Sequence, residues 1–390
     1  MREQNLARLF VLCSRPGPGP GARGEALRLA ASVRDWQGAL ARADHEGILP
    51  LLYWNLKDDP GAVPAAVLES LRLSYLRNLA RNTLAYKELE LFLDGVRRAG
   101  LRVALTKGGR LALDVYPDVA LRPFWDVDFI VHPSDWPGVK GVLAGLDFTE
   151  AAGGEGTGAA DAVLDWTYSP YFRRGALFLE FHFGPLGLHV AGVPESDPWP
   201  STCRLRVRGT EAMVLAAEHE LCYLAIHAQQ HSYARLIWLG DIAEFAARPG
   251  LDWERVVRIC RSEKIAGPVY HGLRLADALW PGSIPAGVLT KLRPGPFELA
   301  ALRMLWSDEA VSARNGAPAW PCYMPSLFSL WERRSPAAAA RTLGAIFFPP
   351  RAWLAATSGV PVNSPRLYGR YAERLLRPAI TAVRRLTERP

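Results

Sequence analysis

Two aspartates one residue apart, Asp126 and Asp128, stand in the run Trp125-Asp126-Val127-Asp128-Phe129-Ile130-Val131. Read as a strand, the run turns Asp126, Asp128 and Ile130 to one face and Val127, Phe129 and Val131 to the other. The apolar face belongs to a core, and the other holds two like charges about 7 Å apart. Such a pair beside buried apolar residues raises the energy of the fold unless a cation sits between them. Magnesium, or manganese, suits that position, because it takes oxygen ligands and keeps sites open for substrate phosphates.

Upstream, the apolar run Leu101 to Leu105 breaks at Lys107-Gly108-Gly109 and gives way to helical spacing in Leu111, Ala112 and Val115. A helix therefore starts where Gly108 and Gly109 let a ligand approach the backbone. Helix N-termini carry unpaired N–H groups and a partial positive charge, so this turn suits a phosphate, with the Lys107 ammonium beside it. Arg122 either packs its stem beneath Trp125 while pairing with an acid, or holds a triphosphate through its forked donors. Turn and acid pair together predict a metal–nucleotide site.

Further on, GALFLEFHFGPLG reads as a strand with Leu177, Leu179, Phe181 and Phe183 on one face and Phe178, Glu180 and His182 on the other. If this strand lies beside the one carrying the aspartates, Glu180 completes a carboxylate trio. His182 then either touches substrate or is a satisfied, half-buried histidine. His227 and His231, four apart on a helical run, share a face at zinc-ligand spacing. Ala228 stands where an HExxH site needs its glutamate, which rejects a zinc peptidase and leaves packing, capping or substrate contact. Asp241, near Trp238, is either solvated or faces the cleft to bind an acceptor.

The stretch LTKGGRLAL…YPDVALRPFWDVDFIV resembles the core of the nucleotidyltransferase superfamily, and more narrowly a bacterial group with a Lys-Gly…Leu-Arg-Pro…Asp-x-Asp signature. GILPLLY resembles a run in that group's N-terminal helices, Glu180-Phe181-His182-Phe183 its Glu/Asp-Leu-His-Trp strand with Phe183 for Trp, and His227, His231, Trp238 and Asp241 its helical bundle. The resemblance implies an α+β fold, a small mixed sheet flanked by N-terminal helices and a C-terminal helical region. It also implies metal-dependent transfer of a nucleoside monophosphate, from ATP or another nucleoside triphosphate, to an acceptor hydroxyl with release of pyrophosphate. Asp126, Asp128 and Glu180 would be the catalytic metal ligands; Lys107, Gly108, Gly109 and Arg122 would hold the nucleotide. The acceptor would be a small molecule, a peptide or a protein. Two alternatives are a nucleotide-binding scaffold without turnover and a toxin-like enzyme acting on RNA.

The elements that must position these residues follow from composition. At 390 residues and 49% hydrophobic, the chain has material for two or three domains. Five scattered cysteines with no CxxC pair indicate neither a disulfide framework nor a cysteine zinc site, which suits the cytoplasm. The first apolar patch, broken by a Pro-Gly run, is too short to span a membrane. Of the net charge of +7, the segment 331–390 with eleven Arg, no Lys, three Glu and no Asp carries +8, and the remainder −1. That basic end either is a solvated face or binds nucleic acid.

Helical spacing fills Gly24 to Leu56 and Pro64 to Ala99, closed by Gly100, and nothing before residue 100 is arranged for chemistry. A further short helix is predicted within HPSDWPGVKGVLAGLDF, a flexible loop at AAGGEGTGAADA, a strand at Arg204 to Arg208, and a helix from Thr210. The expected parts are a helical lead-in (1–99), an α/β core (100–208), a helical bundle (209–295) and a Pro/aromatic-rich, basic helical end (296–390).

Overall fold

The computed structural model describes residues 2–17, 19–151, 170–183, 198–231, 233–263 and 265–296, with 299, 348, 351, 354–355, 360–373 and 375–376 beyond them. Most of the Gly/Ala-rich loop and most of the basic end lie outside the described residues. The chain enters through four helices, α1 (Arg2–Cys13), α2 (Pro20–Ala31), α3 (Trp36–His45) and α4 (Leu49–Leu56). The long α5 (Ala65–Arg98) follows, and it ends where Gly100 turns left-handed at φ +67°. That conformation costs glycine little, so the helix stops on the residue that tolerates the turn.

The sheet is assembled from β1 (Val103–Thr106), β2 (Val127–Val131), β3 (Thr149–Glu150), β4 (Tyr171–Arg174), β5 (Leu177–His182), β6 (Cys203–Val207) and β7 (Thr210–Val214). Between β1 and β2 sits α6 (Lys107–Asp114), and α7 (Trp136–Gly145) follows β2. The strand order is β3-β4-β5-β2-β1-β7-β6. β2 runs antiparallel to β1 but parallel to β5, which makes this a mixed sheet in an α+β fold.

Thr210 to Val214 departs from the sequence reading. It forms a strand parallel to β1, and the helix predicted from Thr210 begins only at α8 (Ala217–Gln230). Glu211, Ala212 and Met213 favour a helix locally, yet burial alternates along the segment and a place beside β1 overrides the propensity. Tyr171 to Arg174 also pairs as a strand, against β5.

Alternation sorts the central strands into two faces. Val127, Phe129 and Val131 of β2 join Leu179 and Phe181 of β5 in a core beneath α5 and α7. Phe129 and Phe181 sit opposite each other in register and stack with centroids 5.6 Å apart, while Phe92 of α5 meets both edge-on. Each fully buried phenylalanine contributes about 1.5–3 kcal/mol, so register is strongly held. A slip of one residue would drive Asp128 into this core.

The opposite face packs Ala104 and Ile130 against Leu215 and Tyr223. α8 continues into α9 (Leu236–Ala246), α10 (Trp253–Ser262), α11 (Ala266–Leu279) and α12 (Ala286–Leu292). One apolar core runs from Leu9 and Phe10 through Leu51 and Leu52 to Ile242 and Leu273, so the entry helices pack with these later ones.

Candidate metal centre

Two strand ends and one helix start meet on the sheet face toward α8. Because β2 and β5 are parallel and in register, Asp128 lies directly beside Glu180, and Ile130 beside His182. Antiparallel pairing sets Asp128 opposite Thr106, the residue before Lys107. Three separate stretches of sequence are thereby brought to one point.

Their side chains converge. His182 Nε2 lies 3.0 Å from Asp128 Oδ1 and 3.3 Å from Glu180 Oε2. Asp128, Glu180 and His182 form the group of potential ligands, among the described residues, whose ligand atoms all lie within 4.8 Å of one another. Lys107 Nζ donates to Asp128 Oδ1 at 2.7 Å and lies 3.1 Å from His182 Nε2. All four side chains are buried or nearly so, and Tyr223 stands over the ammonium with its ring centroid 5.5 Å away.

The electrostatics follow from this crowding. Burial opposes charge on Lys107, but Asp128, Tyr223 and Glu180 together outweigh it and hold the ammonium protonated well above its ordinary range. Burial likewise works against ionised Asp128, and Lys107 with His182 overcomes it, leaving that carboxylate far below the usual range. His182 is pushed up: burial and Lys107 lower it, while Glu180 and Asp128 raise it further.

Asp126 is placed differently. It precedes β2, stands outside the ligand group, and accepts a hydrogen bond from the Tyr171 hydroxyl. Burial, followed by repulsion from Asp128 and Glu180, pushes its carboxyl up to about 7. The acid pair of the sequence thus splits into one ionised member and one that is only partly ionised near pH 7.

The Gly-Gly turn is built from beneath. Lys107 itself takes a left-handed φ of +49°, which costs a side-chain-bearing residue roughly 1–2 kcal/mol. Its backbone N–H donates to Glu220 Oε1 at 3.0 Å, and Thr106 Oγ1 donates to the same oxygen at 2.8 Å. Arg110 Nη1 holds the other oxygen at 3.0 Å. A glutamate from α8 therefore occupies the first N–H of α6, where the sequence suggested a phosphate. A Cβ on Gly108 would come within 2.9 Å of Phe124 Cβ and 3.2 Å of Arg122 Nη1, so close packing requires glycine there. The carbonyl of Gly109 accepts from Tyr86 of α5 at 2.8 Å, so the helical lead-in does reach the site.

Arg122 and Asp241 find each other. Arg122 Nε lies 2.8 and 2.9 Å from the two carboxylate oxygens and Nη2 2.6 Å from Oδ2, while the Tyr116 hydroxyl donates to Oδ1 at 2.8 Å. Of the two readings open for Arg122, the structure shows the acid pairing; the cation over Trp125 is Arg81. Asp241 is 1% exposed.

His227, His231 and Trp238 gather beside the ligand group, with the histidine rings 4.6 Å apart and 5.3 and 5.1 Å from the tryptophan. Burial first, then the Lys107 ammonium, drives His227 well below its ordinary value. His231, whose surface is exposed although protein surrounds it on the wider scale, is lowered to about 4 by the same causes. Both rings are neutral at pH 7.

The family model described as uncharacterised nucleotidyltransferase matches residues 32–281, a span that contains every residue of the site described here. The chain belongs to this family. Neither a curated protein nor a solved structure matches it. For a nucleotidyltransferase the general chemistry is nucleotidyl transfer, with a nucleotide as substrate. Among the described residues no helix is long and apolar enough to cross a membrane.

Local pattern assigns no role to Glu220, Tyr171 or Tyr86. An acid inside an otherwise apolar helical run, as in Glu220-Leu221-Cys222-Tyr223-Leu224, was the available signal for the first.

Proposed function

We propose that the chain transfers a nucleoside monophosphate from a nucleoside triphosphate to an acceptor hydroxyl, releasing pyrophosphate, and that Asp128, Glu180 and His182 hold the divalent ion. The observation that carries this reading is the parallel register of β2 and β5, which sets Asp128 beside Glu180 with His182 between them and the helix start. Two carboxylates and an imidazole are a donor set that fits a divalent cation, and a cationic group, the Lys107 ammonium, already rests on two of the three. Magnesium accepts the oxygens, and the nitrogen donor extends the range toward manganese. Such an ion, when bound, supplies neutralisation of the triphosphate and of charge growing on the departing pyrophosphate.

The remaining work belongs to the chain's own groups. Lys107, released from Asp128, reaches the phosphates as a mobile cation from the start of α6. Gly108 and Gly109 keep the backbone there free of side chains, and the Arg122–Asp241 pair fixes the turn from behind. Asp126, held by Tyr171, joins the ligands once it ionises. Glu180, the least buried member of the group, takes the proton of the acceptor hydroxyl as its oxygen bonds to the α-phosphorus and the bond to the leaving pyrophosphate breaks. Catalysis of this kind is mostly positioning and electrostatics. The sheet, β1 through β7, then serves the nucleotide, and the helices that follow it bring His227, His231 and Trp238 toward the acceptor.

One observation favours a second reading, a nucleotide-binding scaffold without turnover: the Lys107 ammonium sits where the ion would. Thermal unfolding with manganese or magnesium and each of four nucleoside triphosphates separates the cases when coupled to a pyrophosphate-release assay over candidate acceptors. A metal-dependent shift that vanishes in Asp128→Asn, accompanied by pyrophosphate release, supports transfer. A shift without release under any acceptor supports the scaffold, and no shift with any triphosphate overturns both.

A further inference from the structure

Trp125 stands immediately before Asp126 and is 68% exposed, an indole left in water at the edge of a buried charged cluster. One face of its ring is covered, because the guanidinium of Arg81, from the middle of α5, lies 4.1 Å from the ring centroid. Arg81 is itself braced: it donates to Asn78 Oδ1, and Asn78 donates to the carbonyl of Ala120. Its Nε is buried with no hydrogen-bond partner. One turn along the same helix, Leu84 is 62% exposed.

A tryptophan fixed from behind by a cation and open in front is a ready stacking surface. From Trp125 to Asp128 the chain spans at most about 10 Å, the reach of a ribose and its base from a phosphate held at Asp128. We infer that the open face of Trp125, braced by Arg81, stacks the nucleobase of the triphosphate. This rests on the nucleotide reading above and adds to it a base subsite. Every base offers a π-face, so the platform admits all four, with the larger purines bound most tightly.

The test is calorimetric titration of the full-length protein, with manganese, using ATP, CTP and inorganic tripolyphosphate. Wild type, Trp125→Ala, Trp125→Phe and Arg81→Ala are compared. Base stacking is worth about 5- to 150-fold in affinity. Trp125→Ala is expected to weaken ATP by that factor, CTP by less, and tripolyphosphate by under about two-fold, with Trp125→Phe recovering most of the loss. Arg81→Ala is expected to give a smaller loss confined to the nucleotides. Unchanged ATP affinity in Trp125→Ala overturns the inference, as does equal weakening of ATP and tripolyphosphate. A wild type that binds tripolyphosphate as tightly as ATP also overturns it while leaving the phosphate site standing. Binding of neither ligand removes the nucleotide reading itself, and the base subsite with it.

Discussion

Two buried ionic clusters flank the Gly108-Gly109 turn, and they are built to different ends. In one, the Arg122 guanidinium meets a single carboxylate, Asp241, with Tyr116 completing its hydrogen bonds. Charge is balanced and each oxygen is used. In the other, Asp126, Asp128 and Glu180 face one ammonium and one imidazole, and the acids respond unequally, Asp128 ionised and Asp126 pushed up toward neutrality. The balanced cluster has nothing left to bind. The other crowds three acids against two basic groups and splits their ionisation, the perturbed pattern expected of a site rather than a brace.

The comparison is broken most severely at the balanced cluster. Arg122→Met leaves Asp241 buried and unpaired, and should cost about 3–5 kcal/mol of stability, read as a lower midpoint in urea. An effect below about 1 kcal/mol would mean that the pair braces nothing. At the other cluster, Asp128→Asn should abolish the stabilisation by metal and nucleotide, about 2.7 kcal/mol when ligand is present at 100-fold its dissociation constant. Stabilisation equal to wild type would move the ion elsewhere.

Asp126 sharpens the contrast through pH. Its carboxyl titrates at about 7 when folded and near 4 when unfolded. Between those values the folded chain keeps a proton that the unfolded chain has lost, so stability falls as pH rises through the window, and the penalty is complete above about 7. With a chelator present, Asp126→Asn should therefore match wild type near pH 4 and exceed it at pH 8. The gain is on the order of 1–2 kcal/mol, since partial exposure damps the cost. A variant no more stable at pH 8 would show Asp126 free in water. The smallest effect belongs to Tyr171→Phe, which removes one hydrogen bond from Asp126 and should cost about 0.5–1.5 kcal/mol. It should also push the Asp126 titration higher still, visible by NMR; a downward move would assign Tyr171 no hold on that carboxylate.

Local patterns carried much of this architecture. Alternation in Val127 to Val131 and in Leu177 to His182 separated core from site face, and both strands fall where the pattern sets them. The glycines of the turn, the end of α5 at Gly100 and the length of that helix were legible for the same reason: backbone geometry and periodic burial act over a few residues. Thr210 to Val214 was misread because its residues favour a helix in isolation, and only the neighbouring β1 turns them into a strand.

The sequence alone therefore determined which residue types are available, which share a face, and that one face carries more acid than base. The tertiary structure decided their partners. Nothing in the spacing of Asp128 and Glu180 makes β2 and β5 parallel and in register, nothing near Arg122 points to an aspartate on α9, and nothing beside Lys107 announces Glu220. These meetings join residues distant in sequence, held by the packing of Phe92, Phe129 and Phe181 on one side of the sheet and of Tyr223 on the other. Side-chain chemistry is written locally, whereas charge pairing in a buried site depends on which surfaces the core forces together.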